Sequence, residues 1–182
     1  MIEKDTQPRP LIVILGPTAV GKTELSLQLA ERFQAEIVSA DSRLFYRGMD
    51  IGTAKPSREE RQRVPHHLID VADPDQVWNL AIYLREARKI ITGIHEKGKL
   101  PFLVGGTGQY IQAVIEGWRI PEVKPHPELR CVLRAWAEEI GVDGLRRRLA
   151  VLDPEAAAGI EGPNLRRMIR ALEVTLLSGK PF

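Results

Sequence analysis

The sequence predicts an α/β fold, in which a mostly parallel sheet is flanked by helices and joined to an all-helical insertion. Short apolar runs, typical of buried strands, alternate with helical patterns as far as residue 117. The first run leads directly into a glycine-rich loop and then into a helix. After a proline-containing linker, residues 128–177 show only helical patterns. We therefore predict a flexible polar tail at 1–10, an α/β core at 11–117 and a helical segment at 118–182.

The glycine-rich loop follows Leu11–Leu15, an apolar run that we expect to form a fully buried strand. The next eight residues match the phosphate-loop pattern G-x-x-x-x-G-K-[ST]. The two glycines let backbone N–H groups point at phosphate oxygens, and the amino end of the following helix adds partial positive charge. The pattern predicts a P-loop NTPase-like core that binds a di- or triphosphate. The predicted phosphate-binding residues are Gly16, Pro17, Thr18, Ala19, Val20, Gly21, Lys22, whose ammonium can reach terminal oxygens, and Thr23, whose hydroxyl suits a magnesium ion.

A carboxylate is expected beside this loop. The first helix places Leu25, Leu29 and Phe33 on one apolar face, and a second strand follows at 36–40. Because ligands collect beyond the carboxyl ends of parallel strands, Asp41 is predicted to lie near the phosphate loop. It could bind magnesium, act as a general base or cap the next turn.

The chain after Asp41 is harder to interpret. Residues 43–55 show no hydrophobic periodicity and mix basic, aromatic and glycine residues. The segment could hold a nucleotide or RNA base, or it could be a solvated connecting loop. A strand-like run follows at 66–71. His66 and His67 would point to opposite faces of that strand, which favours structural roles over metal binding. Asp70 is a lesser alternative as a magnesium ligand.

A second glycine-rich junction ends a later strand. An amphipathic helix is predicted at 79–97, followed by a buried strand at 100–104. That strand opens into Gly105-Gly106-Thr107. The glycines permit a close approach of backbone to ligand, and Thr107 presents a hydroxyl at the amino end of the next helix. A plain strand–turn–helix junction stays open as the alternative.

The helical segment is rich in arginine. Its four predicted helices are at 128–140, 144–152, 154–160 and 164–177. Arg166, Arg167 and Arg170 share one helix face, because residues three and four positions apart are neighbours. That face could present several guanidinium groups to a phosphate backbone. We interpret Arg146–Arg148 as a solvated helix face.

Composition narrows the class of protein. A formal net charge of +2 permits a nucleic-acid partner without requiring one. The single cysteine, Cys131, excludes an intramolecular disulfide, and we expect it to be a small buried hydrophobe. The polar amino-terminal tail does not resemble a signal peptide, and no apolar run is long enough to cross a bilayer. We expect a soluble, cytoplasmic monomer.

Five sequence blocks together resemble the tRNA dimethylallyltransferases, also called tRNA isopentenyltransferases. They are GPTAVGKTELS, SADSRLFYRGMDIGTAKP, HHLIDVADPD, LPFLVGGTGQY and NLRRMIRALEVTLLSGKP, in the family's order and over nearly the whole chain. The second block is the most specific. The resemblance implies transfer of a dimethylallyl group from dimethylallyl diphosphate to N6 of adenosine-37 in the tRNA anticodon loop, with magnesium as cofactor and pyrophosphate as product.

The resemblance also implies roles for individual residues. The phosphate loop would hold the donor's diphosphate rather than ATP, with Lys22, Thr23 and magnesium offsetting the charge of the leaving group. Asp41 would accept a proton from the N6 amine, and Thr107 would lie near the reacting centre. The target adenine would be flipped out of its stack. The residues implied to contact tRNA are Asp41, Ser42, Arg43, Leu44, Thr107, Arg130, Arg166, Arg167 and Arg170.

The sequence departs from the family at two points. Leu44 stands where many members have glutamine. Family members also continue beyond the position of Phe182, with a part that supplies more sheet, more tRNA surface and an active-site arginine, and we expect these 182 residues to lack it. Three alternatives stay open: an adenylate isopentenyltransferase, an ATP-dependent P-loop kinase, and a module that binds without catalysis. The arginine-bearing helix favours tRNA as the acceptor.

Overall fold

A computed structural model describes residues 9–121 and 123–182. Most of the flexible tail predicted at 1–10 therefore lies outside the described residues. Internal contacts divide the chain into two compact units, the first ending at Arg119 and the second running from Ile120 to Phe182. Each unit is described by itself.

The first unit contains a four-stranded parallel sheet with the strand order β1-β4-β2-β3. The strands are β1 (Ile12–Leu15), β2 (Glu36–Ser39), β3 (His66–His67) and β4 (Pro101–Gly105). Because all the pairings are parallel, the carboxyl ends of the strands meet at one edge of the sheet. The prediction of a mostly parallel sheet is confirmed.

Four helices belong to this unit, α1 (Lys22–Phe33), α2 (Arg58–Arg63), α3 (Leu80–Glu96) and α4 (Gly108–Ile115). Polar side chains fix where two of them begin. The Ser57 side chain accepts a hydrogen bond from the Glu60 N–H in a capping box that starts α2, and Asn79 caps α3 through the Ile82 N–H. The helix predicted at 79–97 is therefore α3.

Two predictions about burial in this unit are wrong. Strand β1 is an edge strand, and Ile12 and Leu15 are 39% and 56% exposed, so it is not fully buried. Helix α1 buries Leu27 and Ala30 against Ile37 and Phe102, whereas the predicted apolar face is largely outside. Residues Leu25 and Phe33 of that face are 49% and 56% exposed. Apolar spacing identified the helix but not the side that packs on the sheet.

Strand β3 is shorter than the run predicted at 66–71. Leu68 and Asp70 adopt positive φ angles of 60° and 56°, which a strand cannot accommodate. Neither residue is glycine, so no local signal marks the break. The chain leaves the sheet after His67 and forms part of a pocket described below.

The second unit is all-helical, as predicted. It contains α5 (Pro127–Leu152), α6 (Pro154–Gly159) and α7 (Leu165–Ser178). Gly141 interrupts α5 with a φ of 75°, which accounts for the two separate helical patterns predicted there. The helices enclose a common apolar core formed by Leu133, Ala137, Leu145, Leu149, Ala157, Ile160, Met168, Ile169, Ala171 and Leu172.

Cys131 is exposed, so the prediction that it is a buried hydrophobe is wrong. It lies on α5 two residues before Leu133, which faces the core. Residues two positions apart on a helix are rotated by about 200°, and this rotation turns Cys131 to solvent. The thiol has no part in the packing of the unit.

Candidate active site

The amino end of α1 provides an anion site. Gly21 is the N-cap residue with a φ of 83°, and no side chain caps the helix there. The first N–H groups of an α-helix lack partners within the helix, and the helix dipole places partial positive charge at the same point. Ala19 also has a positive φ, of 68°, which helps the loop to curl. The backbone therefore has the geometry that the phosphate-loop pattern requires.

The lysine of the loop is held close to the anion site. Lys22 is the first residue of α1, and its ammonium donates a hydrogen bond to the backbone carbonyl of Pro17. Lys22 and Thr23 both line a pocket with a volume of about 330 Å³. A phosphate entering this pocket would compete with the Pro17 carbonyl for the ammonium.

Asp41 follows β2 and also lines the pocket. Its Oδ1 accepts a hydrogen bond from the Arg43 N–H at 3.0 Å, as expected of a residue that caps a turn. Its Oδ2 accepts no hydrogen bond from the part of the chain that the structure describes. One carboxylate therefore does both things that the sequence left as alternatives: it fixes the turn and keeps an oxygen for a ligand.

Thr107 is tied to the segment that carries Asp41. It is the N-cap residue of α4, and its N–H donates to the Ala40 carbonyl at 3.1 Å. Its hydroxyl accepts a hydrogen bond from the Ser42 N–H at 3.3 Å rather than capping α4. The ends of β2 and β4 are therefore joined on both sides of Asp41, which sets Asp41 and Thr107 side by side.

Two glycines make this approach possible. A Cβ atom on Gly105 would lie 2.3 Å from the Ala40 carbonyl oxygen, closer than real Cβ contacts. A Cβ atom on Gly106 would lie 3.5 Å from the Gly16 carbonyl oxygen and 4.0 Å from Oδ2 of Asp41. Gly106 therefore lies between the phosphate loop and the free carboxylate oxygen.

An aromatic cluster supports the segment behind Asp41. The Phe45 ring stacks on Tyr83 and Tyr110 with centroid distances of 5.6 and 5.9 Å, and Tyr83 and Tyr110 are 4.5 Å apart. Burial raises the pKa of Tyr83, so this hydroxyl stays protonated. Leu44 is buried and lines the pocket, whereas Arg43 is exposed. The rigid backing fixes where Asp41, Ser42 and Arg43 lie.

The far wall of the pocket was not predicted. It comes from the irregular segment and from α2 and β3: Thr53, Ala54, Pro56, Glu60, His66 and Ile69. Ile37, Leu44 and Val104 complete the lining with apolar surface. The pocket thus combines a polar end, at the phosphate loop, with an apolar side.

The two histidines have different surroundings. His66 Nδ1 lies 2.7 Å from the Val64 carbonyl oxygen, so Nδ1 carries a proton, and burial lowers the pKa of the ring. The His66 ring lines the pocket. His67 Nε2 lies 2.8 Å from buried Glu36, at the opposite end of the sheet. The structural role predicted for His67 fits this contact, whereas His66 lines the candidate site.

Both carboxylate oxygens of Asp70 accept a hydrogen bond from a cation. Its Oδ1 accepts a hydrogen bond from Lys55 at 2.6 Å, and its Oδ2 accepts one from Arg61 at 2.7 Å. Burial alone would raise the pKa of Asp70, but these two hydrogen bonds outweigh it and lower that pKa. A magnesium ion at Asp70, the lesser alternative from the sequence, would have to share these oxygens with Lys55 and Arg61.

A magnesium ion would have few protein ligands at this site. No group of three histidine, cysteine, aspartate or glutamate side chains that could hold a metal occurs within residues 9–121 and 123–182. Magnesium commonly keeps several waters and is bound through one or two protein oxygens and substrate phosphates. The Thr23 hydroxyl beside the phosphate loop fits such a site.

In the second unit, two of the predicted RNA-binding arginines are held by a carboxylate. Glu173 is fully buried and accepts two hydrogen bonds from Arg130, both at 2.8 Å, and one from Arg170 at 2.7 Å. The pKa of Glu173 falls to about 2, because these bonds outweigh its burial. Arg166 and Arg167 are exposed at the start of α7. Of the four arginines predicted to contact RNA, Arg130 and Arg170 are therefore paired with Glu173, and Arg166 and Arg167 are exposed.

No helix in the described part of the chain has the length and apolar character needed to cross a membrane.

Comparisons with known proteins agree with the sequence blocks. The IPP transferase family model matches residues 44–182, and the isopentenyl transferase model matches residues 10–71. The tRNA dimethylallyltransferase of Roseiflexus sp. (strain RS-1) is 58% identical over 173 residues, which are 95% of this chain and 57% of that relative.

Two solved structures are also similar. The full-length tRNA isopentenylpyrophosphate transferase from Bacillus halodurans is 48% identical, with a TM-score of 0.62 over 96% of this chain and 58% of that one. A eukaryotic dimethylallyltransferase acting on tRNA is 32% identical, with a TM-score of 0.76 over 94% of this chain and 42% of that one. The chain spans less than two thirds of the length of each of these proteins.

Proposed function

Because this chain belongs to the IPP transferase family and has its P-loop NTPase-like fold, we propose that its protein transfers a dimethylallyl group from dimethylallyl diphosphate to N6 of adenosine-37 in tRNA. One observation carries the proposal. Gly106 is positioned beside both the Gly16 carbonyl of the phosphate loop and the free Oδ2 of Asp41. An anion site and a proton acceptor therefore adjoin the same pocket, as group transfer from a diphosphate requires.

The phosphate loop would bind the diphosphate of the donor. Backbone N–H groups at the start of α1 and the Lys22 ammonium would stabilise the charge that grows on the departing pyrophosphate. Thr23 would hold magnesium together with diphosphate oxygens and water, and the ion, when bound, supplies further charge neutralisation. These groups stabilise the transition state more than the bound donor, because charge develops as the C–O bond breaks.

The apolar side of the pocket would receive the dimethylallyl group. Leu44, Pro56 and Ile69 offer hydrocarbon surface next to the anion site. An isoprenyl chain placed there would leave water, and its reactive carbon would stay between the phosphate loop and Asp41. This arrangement favours transfer to an amine over hydrolysis of the donor.

Asp41 would act as the general base. In the reaction, the N6 nitrogen forms a bond to C1 of the dimethylallyl group, the C1–O bond breaks, and its electron pair leaves with pyrophosphate. The N6 proton passes to Oδ2 of Asp41, while Oδ1 stays bonded to the Arg43 N–H. Thr107 would hold this segment in place from the other side. The adenine would have to leave its stack to reach the pocket.

Contacts to tRNA would come from both units. Near the pocket, Ser42, Arg43 and Leu44 follow the general base, although the side chain of Leu44 is buried and would contribute little to a polar contact. In the helical unit, Arg166 and Arg167 are exposed cations suited to phosphate oxygens. Arg130 and Arg170 keep part of their surface accessible beside Glu173. We further propose that the protein is a cytoplasmic monomer.

The two enzymatic alternatives differ in acceptor and donor. An adenylate isopentenyltransferase would use free adenylate as acceptor, and a P-loop kinase would bind ATP at the phosphate loop. The exposed arginines on α7 favour a polyanionic acceptor over a single nucleotide. Asp70, three residues after β3, has both oxygens bonded to cations, whereas a kinase would use an open carboxylate there for magnesium.

A transfer assay tests the proposal. The chain is incubated with radiolabelled dimethylallyl diphosphate, magnesium and an anticodon stem-loop that carries adenosine or guanosine at position 37. We expect label only in the adenosine stem-loop. Label in free adenylate but not in the stem-loop would contradict the choice of acceptor. Phosphate transfer from ATP would favour the kinase.

A further inference from the structure

A lysine ammonium is buried beside the pocket, outside the phosphate loop. The side chain of Lys55 is only 3% exposed. Its Nζ donates hydrogen bonds to Asp50 Oδ1 at 2.6 Å, to Asp70 Oδ1 at 2.6 Å and to the Tyr46 carbonyl at 3.0 Å. An ammonium has three N–H donors, so all of them are used. Lys55 therefore has no donor left for a substrate.

The ammonium stays charged despite its burial. Burial alone would lower the pKa of Lys55, but the hydrogen bonds and charges of Asp50 and Asp70 outweigh it and raise that pKa. Removing one partner from a buried ion pair leaves the other charge without compensation, which is strongly unfavourable. The contacts of Lys55 are therefore expected to persist in the folded protein.

Lys55 connects two stretches of chain that are separate in sequence. Tyr46 and Asp50 come from the irregular segment before it, and Asp70 follows β3. The second oxygen of Asp70 binds Arg61 of α2, so the network also includes that helix. Lys55 and Arg61, through their shared partner Asp70, thus hold the irregular segment, α2 and the chain after β3 together.

The same stretches form the far wall of the pocket. Ala54 and Pro56 flank Lys55, and Ile69 precedes Asp70; all three line the pocket. Ala54 and Asp70 have positive φ angles of 50° and 56°. Such backbone costs about 1 kcal/mol or more for a residue with a side chain, and it persists only where the surroundings impose it. The ion pairs of Lys55 with Asp50 and Asp70 restrain the chain at both positions.

We propose that Lys55 is a positioning residue that holds the apolar part of the far wall of the pocket. It acts through Ala54, Pro56 and Ile69 and touches no reacting atom. The identity of the ligand rests on the proposed function, because the wall would contact the dimethylallyl group of the donor. The three partners of Lys55 all lie outside the phosphate loop, so the diphosphate site is expected to be independent of it.

The test measures two ligands on one protein by calorimetry. The binding of inorganic pyrophosphate depends on the phosphate loop alone, whereas the binding of dimethylallyl diphosphate depends on the loop and the wall together. In Lys55→Met, we expect the Kd for dimethylallyl diphosphate to rise by about tenfold or more, the scale of a misplaced binding wall. We expect the Kd for pyrophosphate to change by less than about twofold. Lys55→Arg keeps the charge and should recover part of the affinity.

A matched control removes another lysine that pairs with a buried carboxylate. Lys99 binds Glu36 at 2.9 Å, at the opposite end of the sheet, and Lys99→Met should change neither Kd. If Lys55→Met does not fold, Asp50→Asn gives the second test, because Asp50 is largely exposed and only one of the two ion pairs of Lys55 is lost. Asp50→Asn should weaken the binding of dimethylallyl diphosphate but not that of pyrophosphate, and by less than Lys55→Met does.

Other outcomes overturn the inference. If a folded variant loses equal affinity for both ligands, Lys55 supports the phosphate loop or the fold in general. An unchanged Kd for dimethylallyl diphosphate would mean that the wall does not depend on Lys55. If the unsubstituted chain binds the two ligands equally, the wall does not contact a prenyl group. Equal binding by the unsubstituted chain does not involve Lys55, so it would contradict the proposed donor and not the proposed role of Lys55.

Discussion

Replacing Gly105 by alanine should separate the two strand ends that form the site. The added Cβ would lie 2.3 Å from the Ala40 carbonyl oxygen and 2.4 Å from its carbonyl carbon, whereas real Cβ atoms stay at least 3.0 Å away. The backbones must therefore move apart by about 0.7 Å. Thr107 donates to the same Ala40 carbonyl, so Thr107 shifts relative to Asp41. We expect a loss of stability of about 1–3 kcal/mol and a fall in kcat/KM of up to about 100-fold.

Two measurements check this prediction, urea unfolding for stability and the transfer assay for kcat/KM. Gly108→Ala is the matched control: it makes the same chemical change three residues later, where an added Cβ meets nothing within 4 Å. It should leave both quantities near their original values. If Gly105→Ala is as active and as stable as Gly108→Ala, close approach of the strand ends does not create the site.

Three further predictions follow from the charges. Asp41→Asn should lower kcat by about 10²–10⁴-fold in the transfer assay, because an amide cannot accept the N6 proton, whereas Asp73→Asn, on a surface ion pair, should have little effect. Glu173→Gln should cost about 3 kcal/mol of unfolding free energy at pH 7, because two arginines lose their buried partner. The folded pKa of Glu173 is about 2, below its usual 4.5. The contribution of Glu173 to stability is therefore complete above pH 4.5 and is lost as pH falls toward 2. Glu173→Gln should lose less stability than the unsubstituted chain across that range. Arg166→Ala should reduce the slope of log affinity against log salt for the stem-loop by about 0.7–0.9, and Arg147→Ala should not; equal slopes would contradict an RNA contact at Arg166.

The local parts of the site could be predicted from the sequence. The phosphate loop is one continuous stretch, so its pattern contains the strand, the turn and the helix end together. Asp41 and Thr107 are distant in sequence, but each follows a predicted parallel strand, and the topology of such sheets brings strand ends together. The glycines before Thr107 predicted a close approach of backbone to ligand, whereas the close approach in the structure is between the backbones of Gly105 and Ala40.

The far wall of the pocket could not be predicted, because it depends on contacts between distant residues. Lys55 meets Asp70 fifteen positions later, and neither residue carries a local signal of the other. The turns at Leu68 and Asp70 are made without glycine, so the sequence favoured a longer strand there. The exposure of Ile12 follows from the order of the strands, which alternating patterns do not encode.

The buried carboxylate of Glu173 changes what an alanine scan of the helical unit would report. Truncating Arg130 or Arg170 removes a cation that the carboxylate needs, so such variants would lose RNA affinity through loosened packing even if neither guanidinium touched RNA. Lysine in place of Arg170 retains the charge but not the second hydrogen bond, to the Val123 carbonyl. Arg166 and Arg167 are exposed and take no part in the contacts of Glu173, so truncating them tests the proposed RNA contact without this complication.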